Sequence, residues 1–173
     1  MNKIEREDYI VDSVINKSLI YGECCEKDIF FIISSLKEKY NIENIIDIGS
    51  GCGKIVFYLA DNLKDCIIEG IEIQKNRYEK ATNLLNNKMN TNIVFYNDNF
   101  KNIYFGNYDL LFCCNTIFTE EDNNILYNKI INEFNGIFIL CTLTHKLLHF
   151  FAEKKYIKCS WYSEIPVYIY INL

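Results

Sequence analysis

At 173 residues, half of them hydrophobic and about a quarter charged, the chain has the composition of one globular domain and not of a disordered tail. Its formal charge of −5 argues against a broad phosphate-binding face, which needs clustered lysine and arginine. Eight cysteines fall as Cys24-Cys25, Cys52, Cys66, Cys113-Cys114, Cys141 and Cys159, mostly inside apolar runs and without a C-x-x-C spacing, and they read as buried free thiols of a reducing compartment rather than as zinc ligands or disulfides.

The N-terminus, "MNKIEREDYI", carries charges where a signal peptide needs an apolar core, and no later stretch approaches the roughly 18 apolar residues of a membrane span. A cytosolic or nuclear location is expected. The single proline and the density of Asn, Ile, Lys and Tyr resemble coding by an A+T-rich genome, such as that of a large virus or a protist. Residues 1–40 read as a short helix, a loop at Tyr21-Gly22-Glu23 and an amphipathic helix over 26–39, placed to lie as a lid over a sheet edge.

From Asn44 onward strand-like and helix-like runs alternate. The pattern predicts strands over 44–48, 66–72, 92–97, 108–114, 136–141, 155–161 and 166–172, and helices over 54–63, 75–88, 119–133 and 145–153. Such an order predicts an α/β fold whose parallel sheet is covered on both faces. Only "SEIP" separates the last two strands, a link too short for a crossover, so the sheet ends in an antiparallel hairpin. One domain over 1–173 is expected, with a Rossmann-like, doubly wound, mostly parallel seven-stranded core over 44–173.

The segment "NIIDIGSGCGKIVFYLA" places Gly49, Gly51 and Gly53 in the turn after the first strand. In open α/β sheets ligands bind beyond the carboxyl ends of the strands, and glycines in that turn let backbone N–H groups approach a ligand at a helix start. The second strand ends at Glu72, about 20 residues on, where a carboxylate can accept both hydroxyls of a ribose. The third ends at Asp98, placed to meet an adenine edge. A nicotinamide fingerprint fits imperfectly, because Lys54 stands where its third glycine or alanine belongs. Asp47 would repel a pyrophosphate but attract an amino group or a sulfonium, the groups carried by S-adenosylmethionine.

Together "DIGSGCGK", "GIEI", the "ND" after the third strand and the terminal hairpin resemble a class I, seven-stranded S-adenosylmethionine-dependent methyltransferase. Within that superfamily "YGE" at Tyr21 to Glu23, "GIEIQKNRYEKA", "NDNF" and "CNTIF" at Cys114 to Phe118 are similar to the disruptor-of-telomeric-silencing type of histone lysine methyltransferase. The compact length and the ending "VYIYINL" resemble the small protein-lysine methyltransferases related to it. The resemblance implies that Asp47, Gly49, Gly51 and Gly53 cradle the methionine part of the cofactor and that Glu72, with Ile73 beside it, holds the ribose. It further implies that Asp98, Asn99 and Phe100 frame the adenine, that Tyr21 and Glu23 close over the cofactor, and that Asn115 faces the transferable methyl. Cys114 replaces a second asparagine of the histone enzymes and Ile117 an alanine-like residue, which implies a narrower channel or another acceptor.

A lysine acceptor must first lose its proton, and an apolar, aromatic channel favours the neutral amine. Tyr21, Phe118 and Trp161 are candidates for that channel, though Trp161 reads more simply as packing at a strand end. His145 and His149 have metal-ligand spacing but no third ligand in sequence, so no metal is expected. The Lys- and Arg-rich extension with which the histone enzymes hold nucleosomes is not in this chain, and a non-histone protein lysine is the expected acceptor. RNA or a small molecule is the alternative acceptor, and a catalytically inactive binding module the alternative role.

Overall fold

A computed structural model describes residues 22–88 and 91–173. The helix expected ahead of the lid loop, and Tyr21 itself, lie outside the described residues. The elements run α1 (Glu26–Lys37), β1 (Asn44–Ile48), α2 (Lys54–Asn62), β2 (Ile67–Ile71), α3 (Lys75–Asn86), β3 (Ile93–Tyr96), β4 (Leu110–Cys113), α4 (Glu120–Glu133), β5 (Gly136–Leu140), β6 (Phe151–Ile157) and β7 (Ile165–Asn172). The seven strands form one sheet in the order β3-β2-β1-β4-β5-β7-β6. The first five pair in parallel, and β7 is antiparallel to both β5 and β6. This is the expected Rossmann-like, mostly parallel sheet with its C-terminal hairpin.

Strand alternation builds the three layers. On β1, Ile45 packs with Ile29, Ile33, Val56 and Leu59 of α1 and α2, whereas Ile46 and Ile48 pack with Leu126, Tyr127 and Ile130 of α4. Both faces of β4 and β5 are covered, and every residue of these two strands is buried. α4 begins at the Thr119 cap, whose hydroxyl accepts the Asp122 N–H at 3.1 Å, with Glu120, Glu121 and Asp122 complementing the helix dipole.

One predicted element differs. Instead of a helix over 145–153, a 3₁₀ turn spans His145–Phe150 and β6 begins at Phe151. β6 is an edge strand with six of its seven residues exposed, so "FAEKKYI" has no buried face to impose alternation, and its charges mimic a helix surface. The connection to β7 is correspondingly longer, and Trp161 sits in that loop rather than at a strand end.

The chain steps outward from β1 to β3, then crosses back to lay β4 against β1. Strand order therefore reverses between β1 and β4, and the crevice beyond their carboxyl ends is where such sheets hold ligands.

Candidate active site

A pocket of about 440 Å³ opens at that reversal, lined among others by Asp47 and Gly49 after β1, Glu72 after β2, Phe100 after β3 and Cys114 after β4. Gly49, Gly51 and Gly53 all have left-handed backbone, with φ of 78°, 57° and 82°. The sequence places glycine there because other residues rarely adopt that conformation. Their surroundings differ. A Cβ on Gly53 would lie 2.6 Å from the Phe95 ring, so this glycine serves packing at the start of α2 and does not line the pocket. A Cβ on Gly49 would meet nothing within 4 Å, which leaves bare backbone facing open pocket.

Glu72 is nearly buried and is held by two backbone donors: the Gly51 N–H reaches one carboxylate oxygen at 2.9 Å and the Gln74 N–H the other at 2.7 Å. Each oxygen keeps lone-pair capacity for a further donor from the pocket. Asp47 is 3% exposed, and among the described residues no donor hydrogen-bonds its carboxylate. Burial pushes its pKa up to about 8, with the charges of Cys114 and Glu72 acting in the same direction. The Ser50 hydroxyl, also in the pocket wall, is buried without a partner among the described residues. These groups invite a cationic ligand that also brings hydroxyls.

At the other end, Asp98, Asn99 and Phe100 follow β3. Asp98 is exposed and accepts from the Asn99 N–H at 2.6 Å and the Asn102 amide at 2.7 Å, which fixes the loop. Phe100 stacks on Phe118 with ring centroids 5.5 Å apart and planes at 20°. Beside them Lys101 pairs with Asp122 at 2.7 Å, tying the loop after β3 to the start of α4. Glu23 lines the pocket and pairs with Lys54 at 3.3 Å. Its backbone exchanges hydrogen bonds with Ser160, and the Trp161 ring lies so close to Gly22 that a Cβ there would approach it within 2.5 Å. Trp161 thus forms pocket wall.

The structure brings Glu23, Asp47, Gly49, Gly51, Glu72, Ile73, Asp98, Asn99, Phe100, Ile117 and Phe118 to one pocket. Asn115 is a correction. It is fully buried, its amide N–H₂ directed at Asn123 Oδ1 (2.6 Å) and the Thr142 and Tyr127 hydroxyls, and its Oδ1 accepts the Cys141 N–H at 3.1 Å. Held in this way, the amide is turned into the protein and does not line the pocket. The pocket positions after β4 are instead Cys114, Thr116, Ile117 and Phe118. Thr116, Ser50 and the Lys101–Asp122 pair were not anticipated. Ser50 lies inside the glycine motif and was recoverable from it, whereas the ion pair depends on a loop contact that no local pattern announces.

His145 and His149 are both exposed in the 3₁₀ turn. Residues 40–165 match the family model described as a methyltransferase domain. Among solved structures the chain is similar to magnesium protoporphyrin IX methyltransferase from Synechocystis PCC 6803 with bound S-adenosylmethionine, with 12% identity, a TM-score of 0.67 and coverage of 85% of this chain and 78% of that one. It is also similar to coclaurine N-methyltransferase bound to N-methylheliamine and S-adenosylhomocysteine (14% identity, TM-score 0.54, 66% of this chain and 35% of that one). A third similar structure is the plantazolicin methyltransferase BpumL with S-adenosylhomocysteine (21% identity, TM-score 0.50, 66% of this chain and 44% of that one). At these identities the likeness is one of fold. No curated protein matches the sequence.

Proposed function

The chain belongs to the methyltransferase-domain family and takes S-adenosylmethionine as its cofactor, and on that premise we propose that its methyl acceptor is the side-chain amine of a protein lysine. The pocket fits the cofactor on its own evidence: bare backbone at Gly49, a buried carboxylate at Asp47 and a buried Ser50 hydroxyl that find no hydrogen-bond partner among the described residues, and spare acceptor capacity on Glu72. When bound, S-adenosylmethionine supplies a methyl group on a sulfonium. Asp47 is the group to face its positive amino-acid end, Glu72 to accept the ribose hydroxyls, and Phe100 to cover the adenine with Asp98 and Asn99 at its edge.

The lysine reading rests on Phe118, braced by its stacking on Phe100, and on Trp161 in the same pocket. An ordinary lysine has a pKa near about 10.4 and must arrive at the methyl unprotonated. Apolar rings disfavour the ammonium form and exclude the water that competes for the amine's lone pair. A net charge of −5 favours a cationic protein segment over a phosphate-rich acceptor. The similarity of "YGE" and "CNTIF" to the lysine enzymes supports the same acceptor.

The test is incubation of the protein with methyl-labelled S-adenosylmethionine and a lysate, followed by mass spectrometry of all labelled species. Label on lysine Nζ of a protein is the expected result. Label confined to RNA or to small molecules would overturn the lysine assignment while leaving methyl transfer intact.

Asp47 provides a separable prediction. The folded, ligand-free protein holds the Asp47 proton up to about pH 8, whereas the unfolded chain releases it near the ordinary aspartate value of 3.8. The Asp47 contribution to unfolding free energy therefore declines as pH rises through that window, because the folded state binds the extra proton. Asp47→Asn should abolish this decline and leave the ligand-free protein at least as stable at pH 8. The same variant should bind S-adenosylhomocysteine at least about tenfold more weakly, given about 1.5–3 kcal/mol for a hydrogen bond to a charged group. Denaturant titrations at several pH values, beside calorimetric affinities, measure both effects.

A further inference from the structure

Three cysteines meet at the edge of the pocket, two in its wall and one buried behind it, although none is near another in sequence. Cys114 follows β4 and Cys141 follows β5, and because Cys113 pairs with Leu140 in the parallel register, the two thiols leave the sheet side by side. Cys24 arrives from the lid segment, held by an antiparallel backbone pairing with Cys159, whose thiol is free, and by the Cys25 N–H to Lys158 carbonyl bond of 2.8 Å. The three Sγ atoms all lie within 4.8 Å of one another, and this is the one metal-ligand cluster of three or more such groups among the described residues. Cys24 and Cys141 are buried, and Cys24 and Cys114 line the pocket. Asn115, through its bond to the Cys141 N–H and its place next to Cys114, fixes two of the three ligands.

We propose that Cys24, Cys114 and Cys141 form a zinc site with three thiolate ligands and a fourth coordination position open to the pocket. A tetrahedral zinc with Zn–S bonds of about 2.3 Å holds its sulfurs about 3.8 Å apart, so the cluster needs to contract by about 1 Å at most. Three soft sulfurs select zinc or copper(I) over magnesium or calcium, and three protein ligands with one open position is the arrangement of zinc sites that admit an exchangeable fourth ligand. Any ligand thiol that still carries its proton releases it to solvent as its Zn–S bond forms. The bound ion would fasten the lid segment to the ends of β4 and β5, closing one wall of the pocket.

The test uses the full chain, reduced and kept anaerobic, titrated with zinc(II) alone and separately with cobalt(II) alone as a spectroscopic stand-in. One ion per chain is expected, with thiolate-to-cobalt charge-transfer absorption and the visible bands of tetrahedral cobalt, both erased by zinc. Cys141→Ser and Cys24→Ser should each weaken zinc binding by at least about 100-fold, whereas Cys66→Ser, remote from the cluster, should not change it. Fully reduced wild-type protein with no stoichiometric zinc binding and no cobalt bands would overturn the proposal, and so would binding of copper(I) without zinc. The wild-type spectrum decides the matter even if a serine variant folds poorly.

Discussion

Asn115→Ala should lower the unfolding free energy by about 3 kcal/mol, roughly 10 °C in Tm for a chain of this size. The substitution strands the Cys141 N–H in a site with no access to water and removes the hub joining Asn123 and Tyr127 of α4 to Thr142 after β5. Each buried polar group left unpaired costs about 1–3 kcal/mol, and the tyrosine and threonine hydroxyls can still pair at 3.0 Å, which limits the total. A residue acting on the transferred methyl would behave oppositely, with stability kept and turnover lost. Thermal unfolding without ligand separates the two, and an unchanged Tm would refute the structural role.

Glu72→Ala should raise the dissociation constant of S-adenosylhomocysteine by at least about 100-fold, the equivalent of two hydrogen bonds to a charged group at the lower bound of about 1.5 kcal/mol each. The same carboxylate organises the glycine turn, since it accepts the Gly51 and Gln74 N–H groups, so the effect combines lost ribose contacts with a loosened cradle. Glu72→Gln distinguishes the parts. The amide retains one acceptor oxygen, presents N–H₂ where the second backbone donor points, and should fall between wild type and alanine. Calorimetry on the three proteins, with their unfolding free energies measured beforehand, reads this ranking. Equal affinities would mean that the carboxylate serves the turn alone.

What the sequence makes legible follows from how local the cause is. The glycines and Glu72 could be placed because positive φ and a strand-end position are each set within a few residues. The buried apolar strands could be placed for the same reason. β6 could not, because an edge strand with both faces wet lacks the alternation that burial imposes. Asn115 shows the limit of positional inference: its place after β4 is right, but the direction of its side chain is decided by Asn123, Thr142 and Cys141, up to 27 residues away. The thiol cluster has the same character. Its ligands come from the lid segment, β4 and β5, so spacing along the chain carries no trace of the distances between the sulfurs. Residues whose role is to contact their own turn are readable from sequence; those whose role is to contact a distant element await the fold.

The crevice between β1 and β4 is expected to bind S-adenosylmethionine through Asp47, the glycine turn and Glu72. The most direct measurement is isothermal titration of the purified chain with S-adenosylhomocysteine, repeated with NAD and with the Glu72→Ala variant. Saturable 1:1 binding of S-adenosylhomocysteine, absent with NAD and sharply weakened in the variant, is expected. Binding of NAD in its place, or S-adenosylhomocysteine binding that ignores the loss of Glu72, would contradict it.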